Sequence, residues 1–232
     1  MIYKNLSLLL SSDKLSEDYG DNALKYIFFD LDGTLTDPGI GITNSVMHAL
    51  RKMGIEPPVR EKLYPFIGPP LIDSFMKYYG MTGDEARQAV VYYREYFSVK
   101  GLFENTMYEG VCEFLSDLRE KGYKLVVATS KPDVFSVKIL EHFDLIKYFD
   151  FVAGATMEET RTKKAEVIEY ALENLGLNND FGKKSVLMVG DRAQDVNGAH
   201  TCGIKCAGVL YGYGDEAEMT ACSADYIVES VG

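Results

Sequence analysis

From residue 26 onward the chain alternates between short, almost wholly apolar runs and longer stretches whose apolar residues recur every three or four positions. The runs at 26–29, 124–128, 150–153, 185–189, 204–210 and 226–228 show no polar face, the pattern of parallel strands covered on both sides. The stretches 111–121, 133–142 and 163–175 have helical periodicity, the first and third closed by Gly122 and Gly176. Strand, helix, strand repetition with short connections predicts an α/β fold with a doubly wound parallel sheet.

The alternation lapses between residues 38 and 106. Residues 43–53 read as a helix with Ile42, Val46, Ala49, Leu50 and Met53 on one side, and Gly54 as its stop. Two further helices follow at 71–79 and 84–99, the second after a Thr82-Gly83 turn, with no convincing strand. The expected organisation is therefore an arm at 1–23, a core of 24–37 and 107–232, and an all-α insertion at 38–106. Within the insertion, Phe66-Ile67-Gly68-Pro69-Pro70 is a rigid, greasy segment, suited to packing between helices or to presenting a loop to a ligand.

Composition narrows the classes of partner. Nearly half the 232 residues are hydrophobic, enough for a buried core, which excludes disorder. A net charge of −11 argues against nucleic acid and anionic membranes as partners. Cys112, Cys202, Cys206 and Cys222 lack the paired spacing of a zinc site and read as reduced thiols of a cytoplasmic protein. No apolar run is long enough to cross a bilayer, and the greasy patch at 6–10 lacks a signal-peptide cleavage site.

Candidate chemistry lies where the strands end. Tyr26 to Phe29 leads into Asp30-Leu31-Asp32-Gly33-Thr34-Leu35, and in extended backbone Asp30 and Asp32 point the same way. Two carboxylates so close after an apolar strand need a cation or a shared proton. A second strand runs into Thr129 and Ser130, and a third into Gly190-Asp191-Arg192-Ala193-Gln194-Asp195. Lys163 and Lys164 stand at the start of the helix between them. In a parallel sheet these groups share the carboxyl edge, where open α/β folds bind ligands. Four acids around an anionic substrate call for a hard cation such as Mg²⁺ plus a lysine.

This ordered set resembles the haloacid dehalogenase superfamily, from about residue 25 to the end. The first motif matches Asp30 to Leu35, the second Thr129, the third Lys164 before its helix, and the fourth Gly190, Asp191 and Asp195. The resemblance implies a Rossmann-like core, with the inserted helices as a cap that closes over the site on hinges near 36–39 and 105–110. It implies Asp30 as nucleophile forming an aspartyl-phosphate, and Asp32 as acid and base. Mg²⁺ would be held by Asp30, the Asp32 main-chain carbonyl and Asp191, with Asp195 orienting the water around it. Thr129, the Ser130 amide and Lys164 would bind the phosphate oxygens. Residues 66–71 and 128–132 are most similar to phosphoglycolate phosphatases and relatives acting on nucleoside monophosphates, so the implied partner is a small phosphorylated metabolite and the chain a monomer or homodimer. A dehalogenase would lack Asp32. A sugar phosphomutase shares both acids but would carry a histidine shortly after Asp37, where this chain has Gly39-Ile40-Gly41. A catalytically silent binding module on the same scaffold is the alternative from another class. No glycine-rich nucleotide-binding loop of the kinase type is present.

Overall fold

The apolar runs form the strands they predict, and their lengths set the size of the sheet. The computed structural model describes residues 2–20, 23–158 and 160–231. Met1, Asp21, Asn22, Glu159 and Gly232, which fall within the domain limits expected from sequence, lie outside the described residues. The chain divides into two compact units, Met1–Leu35 with Met107–Gly232, and Thr36–Thr106.

The chain opens with β1 (Ile2–Asn5), α1 (Leu6–Leu10) and α2 (Asp13–Tyr19), and then enters β2 (Tyr26–Phe29). From β3 (Thr36–Asp37) it runs through α3 (Gly39–Lys52), α4 (Leu71–Tyr79) and α5 (Gly83–Tyr96) to β4 (Thr106–Met107). The remainder contains α6 (Val111–Glu120), β5 (Lys124–Pro132), α7 (Asp133–His142), β6 (Phe151–Ala155), α8 (Lys164–Asn174) and α9 (Asp180–Lys183). It closes with β7 (Val186–Gly190), α10 (Ala193–Cys202), β8 (Lys205–Val209), α11 (Glu216–Ala221) and β9 (Tyr226–Ser230).

In the first unit seven strands form one sheet in the order β1-β9-β8-β7-β2-β5-β6, every neighbouring pair parallel. Both faces are covered, as the absence of a polar face requires. Phe28 joins Val126, Met188 and Cys206 in a core cluster with Val167, Ile168 and Ala171 of α8 and Val196 and Ala199 of α10. Phe29 packs edge-on against Phe114 and Phe149. β2 lies between β5 and β7 with Phe29 in register with Val127 and Val189, so the residues just beyond this row on all three strands emerge together.

Residues 2–20 differ from an appended arm. β1 extends the sheet by pairing with β9. Leu6, Leu9, Leu15 and Tyr19 are buried, and the Tyr19 hydroxyl donates to the Val186 carbonyl at 2.9 Å. In the second unit, α3 begins at Gly39 rather than at residue 43, and its first turn contains Gly41, where a Cβ would strike the Gly101 carbonyl. α5 starts with a capping box between Thr82 and Glu85 and ends in a π-turn at Phe97–Gly101. Phe66 and Ile67 are buried, Phe66 against Phe75 at 5.0 Å between ring centroids, so the greasy segment there serves packing. Among the described residues no helix is long and apolar enough to cross a membrane.

Candidate active site

The carboxyl edge of the first unit's sheet carries the polar residues, and all are positioned by their neighbours on the central strands. Asp30 follows β2, its amide donating to the Val189 carbonyl at 2.9 Å. Its Oδ1 accepts from the Leu31 amide at 2.8 Å and pairs with Lys164 Nζ at 2.8 Å. The turn then needs Gly33, whose φ of +83° suits glycine and where a Cβ would run into the Asp191 carboxylate. This close approach brings the first loop onto Asp191.

Lys164 stands in the first turn of α8 and reaches back under the sheet edge. Its ammonium lies 2.8 Å from Asp30 Oδ1, 2.8 Å from Asp195 Oδ1, and donates to the Ala128 carbonyl at 3.0 Å. Burial disfavours this charge, but the Asp195 and Asp30 carboxylates outweigh it and hold the ammonium well above its ordinary pKa. Lys163, the other candidate for this position, is exposed at the helix cap.

Asp32 is set apart from this cluster. Its Oδ2 pairs with Lys131 Nζ at 2.6 Å, while its buried Oδ1 has no hydrogen-bond partner. Burial raises the Asp32 pKa, with Lys131 opposing the shift. Lys131 is a site residue that the motif reading missed. It lies in β5 two residues after Thr129, and is 8 % exposed. Its position beside Thr129 and Ser130 at the same strand end was the available signal. Thr129 is buried with Oγ1 accepting from the Lys131 amide at 3.3 Å, and Ser130 is half-buried beside it.

β7 delivers the last two acids. Asp191 is fully buried, with Oδ2 accepting from the Tyr213 amide at 2.7 Å and Oδ1 lacking any hydrogen-bond partner. Asp195 stands in the first turn of α10, its Oδ2 accepting from the Arg192 amide at 3.0 Å. Burial raises both pKa values, Asp195 to about 6. For Asp191 the Asp195 and Asp30 charges add to the rise; for Asp195, Asp30 adds and Lys164 opposes.

Among the described residues, Asp30, Asp191 and Asp195 each offer a ligand atom within 4.8 Å of the others. The Asp32 carboxylate is outside this group because it is turned onto Lys131. The donor set is all oxygen and carries an unpartnered buried carboxylate oxygen, which fits a hard divalent cation. Four carboxylates face two ammonium groups, leaving two negative charges that one such cation would neutralise.

The family described as haloacid dehalogenase-like hydrolase matches residues 27–209. A 5'-nucleotidase of Pseudomonas aeruginosa is 46% identical over 203 residues, covering 87% of this chain and 90% of that protein. The tyrosine-protein kinase PtkA of Mycobacterium tuberculosis is 38% identical over 188 residues, covering 81% of this chain but 62% of its own length. The crystal structure of a predicted phosphatase from Clostridium acetobutylicum superposes with a TM-score of 0.87 at 45% identity, covering 90% of this chain and 94% of that one.

Proposed function

This chain belongs to the haloacid dehalogenase-like hydrolase family, and from that premise we propose that it hydrolyses a small phosphomonoester with the help of Mg²⁺, through a phosphoryl group carried on Asp30. The observation that carries the reading is the charge pattern of the site. Two acids that lead one loop are held apart by separate buried lysines, and a third and fourth acid leave a deficit suited to one divalent cation.

The Asp30 carboxylate is oriented through Oδ1 by Lys164 and the Leu31 amide, which leaves Oδ2 to attack phosphorus. As the new P–O bond forms, the bond from phosphorus to the leaving oxygen breaks, and that oxygen takes a proton from Asp32. The raised pKa of Asp32 favours its carrying that proton, and Oδ1 is the atom without another partner. In the second half, Asp32 accepts a proton from water as the water oxygen attacks phosphorus, and the bond to Asp30 breaks to release inorganic phosphate. Thr129, the Ser130 amide and Lys164 would hold the non-reacting oxygens and counter their growing charge. Bound Mg²⁺, held by Asp30, Asp191 and the Asp32 main-chain carbonyl, would supply further charge neutralisation there.

The likeness to a 5'-nucleotidase supports nucleoside monophosphates as the first substrates to try, beside phosphoglycolate. The test is phosphate release from a panel of these, several hexose phosphates and an aryl phosphate, with Mg²⁺ and with a chelator. Metal-dependent release with one preferred ester is expected. Equal release without metal, or silence across the panel, contradicts the proposal. Isomerisation of a hexose phosphate would favour a mutase, and transfer from ATP to a tyrosine peptide would favour kinase chemistry.

A further inference from the structure

The segment between β8 and α11 touches both loops that carry the acids, and none of its residues belongs to the motifs. The Tyr211 hydroxyl donates to the Thr34 carbonyl at 3.0 Å, anchoring the segment to the loop after Asp30 and Asp32. A Cβ at Gly212 would strike both the Gly33 carbonyl and the Asp191 side chain, so the backbone there lies directly on both. The Tyr213 amide donates to Asp191 Oδ2 at 2.7 Å.

Glu218 fastens the other end. It lies in α11, its amide donating to the Asp215 side chain at 2.8 Å. Its Oε1 accepts from the Ala193 amide at 2.7 Å and from Arg192 Nε at 3.1 Å. Arg192 and Ala193 are the two residues immediately after Asp191, so one side chain holds the turn between Asp191 and Asp195. The Ala193 amide is also one of the unpaired donors at the start of α10, which gives this contact a reason to persist.

We propose that residues 211–218 form a strap that aims Asp191 at the cation, with Glu218 as its positioning residue. The inference rests on the metal reading above. With Oδ2 occupied by the strap and the turn behind it clamped by Glu218, Asp191 presents only Oδ1 to the cluster, and that is the buried oxygen without a partner. Glu218 lies outside the carboxylate cluster that would hold the cation, and its contacts are to Arg192 and Ala193. It acts by fixing the rotation of Asp191, in the way that groups behind metal ligands commonly set affinity.

The test measures Mg²⁺ affinity by calorimetry on the full chain without substrate, for wild type, Glu218→Ala, Glu218→Gln and the exposed neighbour Glu216→Ala. Glu218→Ala should weaken Mg²⁺ binding about tenfold or more. Glu218→Gln keeps an acceptor for the Ala193 amide and should recover much of that loss, while Glu216→Ala should bind like wild type. Turnover of a phosphomonoester by Glu218→Ala should fall at limiting Mg²⁺ and return as Mg²⁺ is raised, a rescue that a purely structural defect would not show. Wild-type affinity in both Glu218 variants overturns the strap. Should Glu218→Ala not fold, Glu218→Gln decides alone: a measurable fall in Mg²⁺ affinity, with turnover that returns as Mg²⁺ is raised, supports the strap, and no fall overturns it. Absence of Mg²⁺ binding by wild type instead overturns the metal reading, and the strap with it.

Discussion

At Asp30, Oδ1 is engaged by the Leu31 amide and the Lys164 ammonium, so Asp30→Asn keeps the shape of the side chain while removing the charge proposed to attack phosphorus. Turnover should fall by more than about a thousandfold with the fold intact, read as phosphate release beside an unchanged circular dichroism spectrum. Lys164→Ala tests the opposite partner. It strips the counter-ion from two buried carboxylates and should cost about 3–5 kcal/mol of stability, measured by denaturant unfolding. A loss of activity with unchanged stability would contradict that account of the buried triad. Asp30, Asp32, Thr129, Asp191 and Asp195 were legible in the sequence because each follows or ends an apolar run at a fixed spacing. Lys131 was not, because a lysine in a strand reads as a solvated charge until its neighbour's burial is known.

The same contrast holds for elements. β2, β5 and β7 announce themselves through buried apolar residues on both faces. β1 and α1 are four and five residues long, and their pattern is fixed by packing onto β9 rather than by their own periodicity. α3 starts a turn before the apolar periodicity of residues 43–53 announces it, and its added turn contains Gly41, which is needed for close approach to Gly101. Beside Tyr19, Asp18 also ties α2 to the strands beyond it: its carboxylate accepts from the Tyr226 hydroxyl at 2.6 Å and lies 3.1 Å from Lys205, with Lys14 of α2 itself at 2.8 Å. Burial works against that charge, but these hydrogen bonds prevail and hold the carboxyl down at about 2. Because the folded value lies below the unfolded one, the stabilisation is present above about pH 4 and is lost as the pH falls through about 2. Allowing for solvent screening, it is worth roughly 1 kcal/mol. Asp18→Asn should therefore lower stability at pH 7 by about that amount and flatten the acid limb between pH 4 and 2. An acid limb identical to that of wild type would show that Asp18 does not anchor α2.

Across the whole molecule, the net charge of −11 and the deficit within the site act in the same direction. A chain this acidic attracts an anionic substrate poorly unless a cation reverses the local field. Saturating Mg²⁺ should raise the unfolding free energy, by about 2.7 kcal/mol at a hundred times its dissociation constant, and a chelator should reverse the gain. Thermal unfolding that ignores both would argue against a bound cation. The covalent step is the centre of the account, and a rapid acid quench during turnover tests it most directly. Intact-protein mass spectrometry, followed by peptide mapping, should find one phosphoryl group on Asp30 in wild type and none in Asp30→Asn. A phosphoryl group on any other residue, or turnover by wild type with no phosphorylated protein while Asp30→Asn keeps wild-type activity, would contradict it.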